Sequence, residues 1–318
     1  MKTLWILLMT ILVCGSVALA QSSHKALSGA WTAKTPMPTP RSGLSTCVLN
    51  NTIYAIGGGA GYAPIPAVEV YDPTTDTWTQ KADMPSGRTW LSTVIVDGKI
   101  YVIGGFGANE YLGTVEEYDP VTDTWTKKAD LPTPTYAAAL GVVNGLIYAF
   151  GGKSGKTRQP IATVLQYNPR TDTWTERSPM SFARHRHSAA VMQGKIYIFG
   201  GKVRANGPPL AKVEEYDPAT DTWTSKAWMP TARILQCATA VNGKIYVIGG
   251  GEYYDSPPYP LVEIYHPTTD TWTAGPDMLT ARKSFATSAV HGKIYAIGGS
   301  PSESWTDVSA IVEEYTPE

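Results

Sequence analysis

The apolar positions of this chain come in short bursts rather than long stripes. Cys237 to Val241 and Lys244-Ile245-Tyr246-Val247-Ile248 are two such bursts, joined by Asn242-Gly243 and closed by Gly249-Gly250. Each has strand length, and the Asn-Gly pair is a two-residue hairpin signal that wants both residues at positive φ. In the preceding stretch a third burst, Val213-Glu214-Glu215-Tyr216, runs into Asp217-Pro218-Ala219-Thr220-Asp221-Thr222-Trp223, where proline and aspartate announce a turn before a fourth strand. The pattern predicts units of four antiparallel strands with no long helix.

The unit occurs six times. Its glycine doublets are Gly57-Gly58, Gly104-Gly105, Gly151-Gly152, Gly200-Gly201, Gly249-Gly250 and Gly298-Gly299, at steps of 47, 47, 49, 49 and 49 residues, a period that means a repeat architecture. The tryptophans Trp31, Trp78, Trp125, Trp174, Trp223 and Trp272 each stand 26 residues before the next doublet, and each of the last five follows a tyrosine by 7. The hairpin pair recurs as Asp97-Gly98, Asn144-Gly145, Gln193-Gly194 and His291-Gly292, with Asn50-Asn51 in the first copy. All length variation, from 14 to 17 residues, falls between doublet and tyrosine. A constant scaffold with variable loops places binding residues in those loops.

Four-stranded units of this size, each with a glycine doublet and a spaced tyrosine and tryptophan, read as blades of a β-propeller. Arg233, Ile245-Tyr246, Gly249-Gly250, Glu263, Tyr265 and Trp272 stand in kelch order, and residues 31–318 resemble the kelch-repeat β-propeller family. The expected fold is all-β, a six-bladed kelch propeller with four antiparallel strands per blade. Trp31 belongs to a fourth strand with no first three before it, and Tyr315 to a third strand with no tryptophan after it. Residues 31–35 are therefore expected to complete the blade formed by 282–318, removing the edges an open sheet would leave.

Arg41, Arg88, Arg184, Arg233 and Arg282 stand 16 residues before their doublets, and Glu69, Glu116, Glu214, Glu263 and Glu313 stand two before their tyrosines. The third copy has Thr135 and Leu165 instead. Loss of both together predicts an ion pair within each blade, because a lone buried charge is strongly unfavourable.

A formal net charge of −1 removes any general attraction for nucleic acid or an anionic membrane. At the N-terminus, Lys2, the apolar run from Leu4 to Val13 and Ala18-Leu19-Ala20 before Gln21 form a secretory signal pattern. The expected organisation is a signal peptide at 1–20, a linker at 21–30 and the propeller at 31–318. The apolar run falls short of the roughly 20 residues a spanning helix needs, so the mature chain is expected to have no membrane span and to be secreted or periplasmic. Val13 stands where a lipoprotein site at Cys14 needs a small residue. Cys47 and Cys237 are expected as buried thiols, since a bridge needs Cα atoms within about 7 Å.

Up-and-down strands send the second-to-third and fourth-to-first loops to one face, the expected working face. Its third and fourth loops carry Lys153, Lys156, Arg158, Lys202 and Arg204, and the fourth blade opens with Arg184-His185-Arg186-His187. The face also gathers Tyr62, Trp90, Phe106, Tyr111, Tyr136, Tyr253, Tyr254, Tyr259 and Trp305. Aromatic platforms beside cations suit a glycan or an acidic peptide. Singly, each residue is better explained by solvation or loop packing; together they point to binding. His185 and His187, alternating along a strand, begin a metal site that no local Asp, Glu or Cys completes. The recurring aspartates read as turn caps, and His266 and His291 as turn residues.

The expectation is a monomeric, non-catalytic module that takes a protein or carbohydrate ligand, with no cofactor, metal or nucleic acid. The resemblance implies two enzymatic alternatives. One is a sugar-acting enzyme of the sialic-acid mutarotase type, with its pocket at the channel mouth. The other is a galactose-oxidase-like copper enzyme, whose cysteine-linked tyrosine and histidine ligands have no counterparts in this sequence.

Overall fold

The computed structural model describes residues 29–60, 63–204, 207–304 and 306–317. Among them there is no helix, and six four-stranded antiparallel sheets make a propeller. The fifth blade is Cys237–Val241, Lys244–Ile248, Val262–His266 and Thr271–Gly275, in that spatial order. The sixth is Ala286–Val290, Lys293–Ile297 and Val312–Thr316, with Ala30–Lys34 as its outer strand. Trp31 lies opposite Tyr315 in that closing pair, so the two chain ends complete one blade as the motif order predicts. The signal segment at 1–20, Tyr62 and Trp305 lie outside the described residues.

Burial explains the strand patterns. Second strands such as Lys244–Ile248 are buried along almost their whole length because each sheet packs against a neighbour on both faces. Outer strands such as Thr271–Gly275 are mostly exposed, apart from a half-buried tryptophan and here a buried final glycine. The apolar clusters lie between blades: one joins Tyr246 and Ile248 of the fifth to Ile294, Tyr315 and Trp31 of the sixth.

The repeated residues are inter-blade ties. The Nε1 of Trp78 donates to Thr35 O, of Trp125 to Ala82 O, and of Trp272 to Ala227 O, at 3.0 Å each. Trp31 closes the circle on Pro276 O, also at 3.0 Å. The constant Tyr–Trp spacing puts the two rings in cross-strand contact, as for Tyr265 and Trp272 with centroids 5.0 Å apart. Asp217 caps its turn by accepting from Ala219 N at 2.9 Å. Asp221 does more, accepting from Tyr216 in its own blade and from Ser178 N in the preceding one.

The glycine doublet is the weld between blades. Gly250 N donates to Arg282 O at 2.9 Å, and Gly299 N to Arg41 O at 2.9 Å across the closure. Gly249 has φ +61°, and a Cβ there would stand 2.6 Å from Arg282 O. No other residue allows both that conformation and that approach. The hairpin pair also adopts its expected left-handed geometry, Asn242 at φ 49° and Gly243 at 75°. Cys47 and Cys237 are free, and burial pushes both thiols up to about 12.

Candidate functional site

The working face narrows onto the channel through one residue of each blade: Gly43, Trp90, Ala137, Arg186, Leu235 and Ser284. Each has a φ between 50° and 62°. Their backbones form a closed hydrogen-bonded circle: Trp90 N to Gly43 O, Ala137 N to Trp90 O, Arg186 N to Ala137 O, Leu235 N to Arg186 O, Ser284 N to Leu235 O and Gly43 N to Ser284 O, at 2.7 to 3.3 Å. Just outside the circle, bridges such as Thr89 with Phe106 and His185 with Lys202 stitch the fourth-to-first loops to the second-to-third loops. The two loop families do share one face.

On this rim an aromatic cluster is continuous. Tyr111 stacks on Tyr136 with centroids 4.7 Å apart, and Phe106 meets Tyr111 edge-on at 5.6 Å. Trp90 lies 5.7 Å from Tyr136 and, across the mouth, 6.2 Å from Tyr254. Cations sit on these rings: Arg158 over Tyr111 at 4.3 Å, Arg186 over Tyr254 at 4.6 Å, Lys202 over Tyr253 at 5.4 Å and Lys153 over Tyr136 at 6.0 Å. Lys283, which no sequence signal singled out, is buried beneath them and donates to Tyr254 O and Ser256 O at 2.6 Å. Burial lowers the pKa of Lys202 and Lys283 and Arg186 adds to it, while Asp255 opposes the shift at both and Glu303 at Lys283.

Two levels of unmatched polarity follow the channel axis. At the mouth, the buried Nε1 of Trp90 and Nε of Arg186 are donors without a partner among the described residues. One step deeper, His187 Nε2 lies 3.1 Å from Phe150 O and must donate to it, and Gln236 Nε2 donates to Phe199 O at 2.8 Å. That leaves His187 Nδ1 and Gln236 Oε1 as buried acceptors without a described partner. Trp90, Arg186, His187 and Gln236 line one pocket of about 140 Å³ at the mouth. Burial is the main cause that holds His187 well below the ordinary histidine range, with Arg184 adding to it, so its ring is neutral.

Several expectations change here. Arg184 is fully buried and paired with Glu214, so it belongs to the scaffold and not to the ligand face. His185 and His187 do not point the same way. Arg186 between them has φ +57°, which breaks the alternation. His185 turns to Lys202 O (3.1 Å) and the Tyr136 edge, while His187 turns into the channel. Among the described residues no group of three or more His, Cys, Asp and Glu is placed to hold a metal. Arg204 is exposed away from the aromatic cluster, and Lys156 bonds Pro132 O at 3.3 Å. Trp90, Phe106, Tyr111, Tyr136, Lys153, Arg158, Arg186, Tyr253 and Tyr254 do converge. Sequence reasoning missed Gln236 and the six-residue circle, whose one signal is a position 14 residues before each doublet.

A family model described as the KLHDC2/KLHL20/DRC7 Kelch-repeats domain matches residues 126–299, and one described as the Attractin/LZTR1 beta-propeller matches residues 19–209. No curated protein matches the chain. The solved structure of YjhT aligns with a TM-score of 0.77 and 19% identity, over 89% of this chain and 97% of YjhT. At that identity the likeness speaks for the fold alone. No helix among the described residues is long and apolar enough to cross a membrane.

Proposed function

Starting from the fact that this chain belongs to the kelch-repeat β-propeller family, we propose that it is an exported module that binds an anionic carbohydrate or an acidic peptide at the channel mouth. The observation that carries this reading is the pair of unpartnered donors, Trp90 Nε1 and Arg186 Nε, set among Lys202 and Lys283. Buried donors demand acceptors, and the three cations Arg186, Lys202 and Lys283 outnumber the two carboxylates beside them, Asp255 and Glu303, which favours a negative one. The rings of Trp90, Tyr136 and Tyr254 offer the flat apolar surface on which a sugar or peptide lies.

A glycan and acidic-peptide array on the protein starting at Gln21 tests this. Acidic members should be retained, and Arg186→Ala or Trp90→Ala should weaken them at least about tenfold, the scale of one lost charge-assisted bond. Retention of neutral members alone, or indifference to both substitutions, would sink the reading. The second reading, a sugar-acting enzyme, is favoured by one observation: the neutral His187 and Gln236 line the same mouth pocket, and their Nδ1 and Oε1 are buried acceptors without a partner among the described residues, which suits them to hold the hydroxyls of a bound sugar. Accelerated anomerisation of an array-positive sugar, lost in His187→Gln while binding persists, would establish it over simple binding.

A further inference from the structure

The third blade has lost its buried ion pair, and the space has not closed. A cavity of about 210 Å³ is lined there by Thr135 and Leu165, which replace the arginine and glutamate, and by Ala149, Gly151 and Thr163. In the other blades the guanidinium fills this slot and donates to main-chain carbonyls at the corresponding places. Arg88 donates to Gly104 O and Thr114 O at 3.3 and 3.0 Å. Arg184 donates to Gly200 O and Lys212 O at 3.1 and 3.4 Å. Arg282 reaches Gly298 O and Ile311 O at 3.0 and 2.9 Å, with Ala296 O at 3.4 Å. The third blade keeps this carbonyl set while lacking both side chains. Thr135 turns its hydroxyl away, donating to Thr133 O at 2.9 Å.

We propose that this slot is a second ligand site, adjoining the mouth pocket through Trp90, Ser92 and Ala138 but without Arg186, for a small uncharged molecule with a compact apolar body and an N–H or O–H donor, such as a monocyclic amide or alcohol. The size fits one ring, since an apolar cavity of about 150 Å³ accepts benzene. Ile103, Leu131 and Leu140 supply apolar walls; Thr163 O already accepts from Gly151 N at 2.9 Å, so what the slot offers a ligand's N–H or O–H is the second lone pair that the guanidinium takes in the sibling blades. A cation is disfavoured in the buried interior: Leu165 provides no carboxylate there, the lining charges Lys156 and Glu176 are exposed and of opposite sign, and an unpaired buried charge is strongly unfavourable. The exposed residues of its lining are Pro132, Lys156, Thr157 and Glu176, and Lys156 reaches Pro132 O at 3.3 Å.

Benzamide and benzamidinium, near-identical in shape and different in charge, test the proposal by titration into the protein with backbone-amide NMR as readout. Benzamide should shift the amides of Ala149, Thr163 and Leu165, and benzamidinium should bind at least about tenfold more weakly, as desolvation of an unpaired cation requires. Leu165→Glu restores the carboxylate and should reverse that order. Thr135→Arg with Leu165→Glu rebuilds the pair of the sibling blades and should abolish both without loss of fold. Benzamidinium binding as well as benzamide in the unmodified protein, benzamide shifts confined to Tyr136 and Arg186, or binding that survives in the rebuilt blade would each overturn it. The unmodified-protein arm decides even where Leu165→Glu alone fails to fold. Loss of acidic ligands in Arg186→Ala leaves this site untouched, so the two readings fail separately.

Discussion

The third and fifth blades share almost everything. Both have the left-handed hairpin pair, Asn144-Gly145 and Asn242-Gly243, and both have a tyrosine ring against a tryptophan, 4.8 and 5.0 Å apart. Both are welded to the next blade through a doublet, Gly152 N to Arg184 O at 2.8 Å and Gly250 N to Arg282 O at 2.9 Å. They differ in the slot behind the doublet, where Arg233 and Glu263 meet at 2.7 Å and Thr135 and Leu165 leave a hole. The blade is therefore specified by its backbone welds and turns, and the ion pair is an interchangeable filling. Burial explains why it can be exchanged: it pulls the Arg88 guanidinium down from its ordinary value and pushes the Glu116 carboxyl up, each toward its neutral form. A buried pair under such opposition adds little net stability, while half of one is strongly destabilising.

The largest expected effect breaks that comparison on the fifth blade. Arg233→Ala leaves Glu263 buried and unpaired, and should lower stability by about 3–5 kcal/mol. Arg233→Ala with Glu263→Leu, which gives the fifth blade the third blade's chemistry, should recover at least half of the loss. Thr135→Ala, by contrast, removes one hydroxyl from an uncharged slot and should lower stability by about 1 kcal/mol. Denaturant unfolding of the unmodified protein, these three variants and Glu263→Leu alone checks this. If the two fifth-blade substitutions simply add, the pair is not a coupled unit and the argument from joint loss fails.

What was legible in the sequence were features carried by residue type at a fixed offset. The Asn242-Gly243 turn, the Tyr265–Trp272 contact, the closure of Trp31 on Tyr315 and the Arg233–Glu263 pair each need particular side chains, so each repeats visibly. The circle at the channel mouth is built from N–H and C=O groups, and its six positions hold glycine, tryptophan, alanine, arginine, leucine and serine. Nothing in residue type marks it. The same backbone turn misled the reading of His185 and His187, because alternation holds only while the residue between them stays extended. Joint loss at Thr135 and Leu165 was visible, but whether neighbours would collapse into the space depends on packing that spacing does not encode. The aromatic rim was half legible: its members were identified, while the seating of Arg158 and Arg186 on particular rings follows from the loops' tertiary arrangement.

The last comparison turns on pH and extends to the fourth blade, where His185 and His187 stand in place of the third blade's Tyr136 and Ala138. Burial lowers His185 to about 3 and His187 well below its ordinary value of 6.5. Both are neutral when folded and take up protons readily when unfolded. Below pH 6.5 the unfolded chain therefore binds more protons, and stability falls as pH drops, by up to about 1.4 kcal/mol per unit for each histidine. The window runs from 6.5 down toward the carboxylate range, where Asp172 and Asp221, held below their ordinary values by Tyr167 and Tyr216, begin to contribute. The fifth blade supplies the control residue, since Gln236 makes the same bond to Phe199 O that His187 makes to Phe150 O. His187→Gln should keep that bond, leave stability at pH 7.5 nearly unchanged and reduce the slope between pH 6.5 and 5 by about half. An unaltered slope would mean that His187 takes up a proton in the folded channel. Its Nδ1 would then turn from acceptor to donor as the pH falls, and the deep pair of acceptors would be lost.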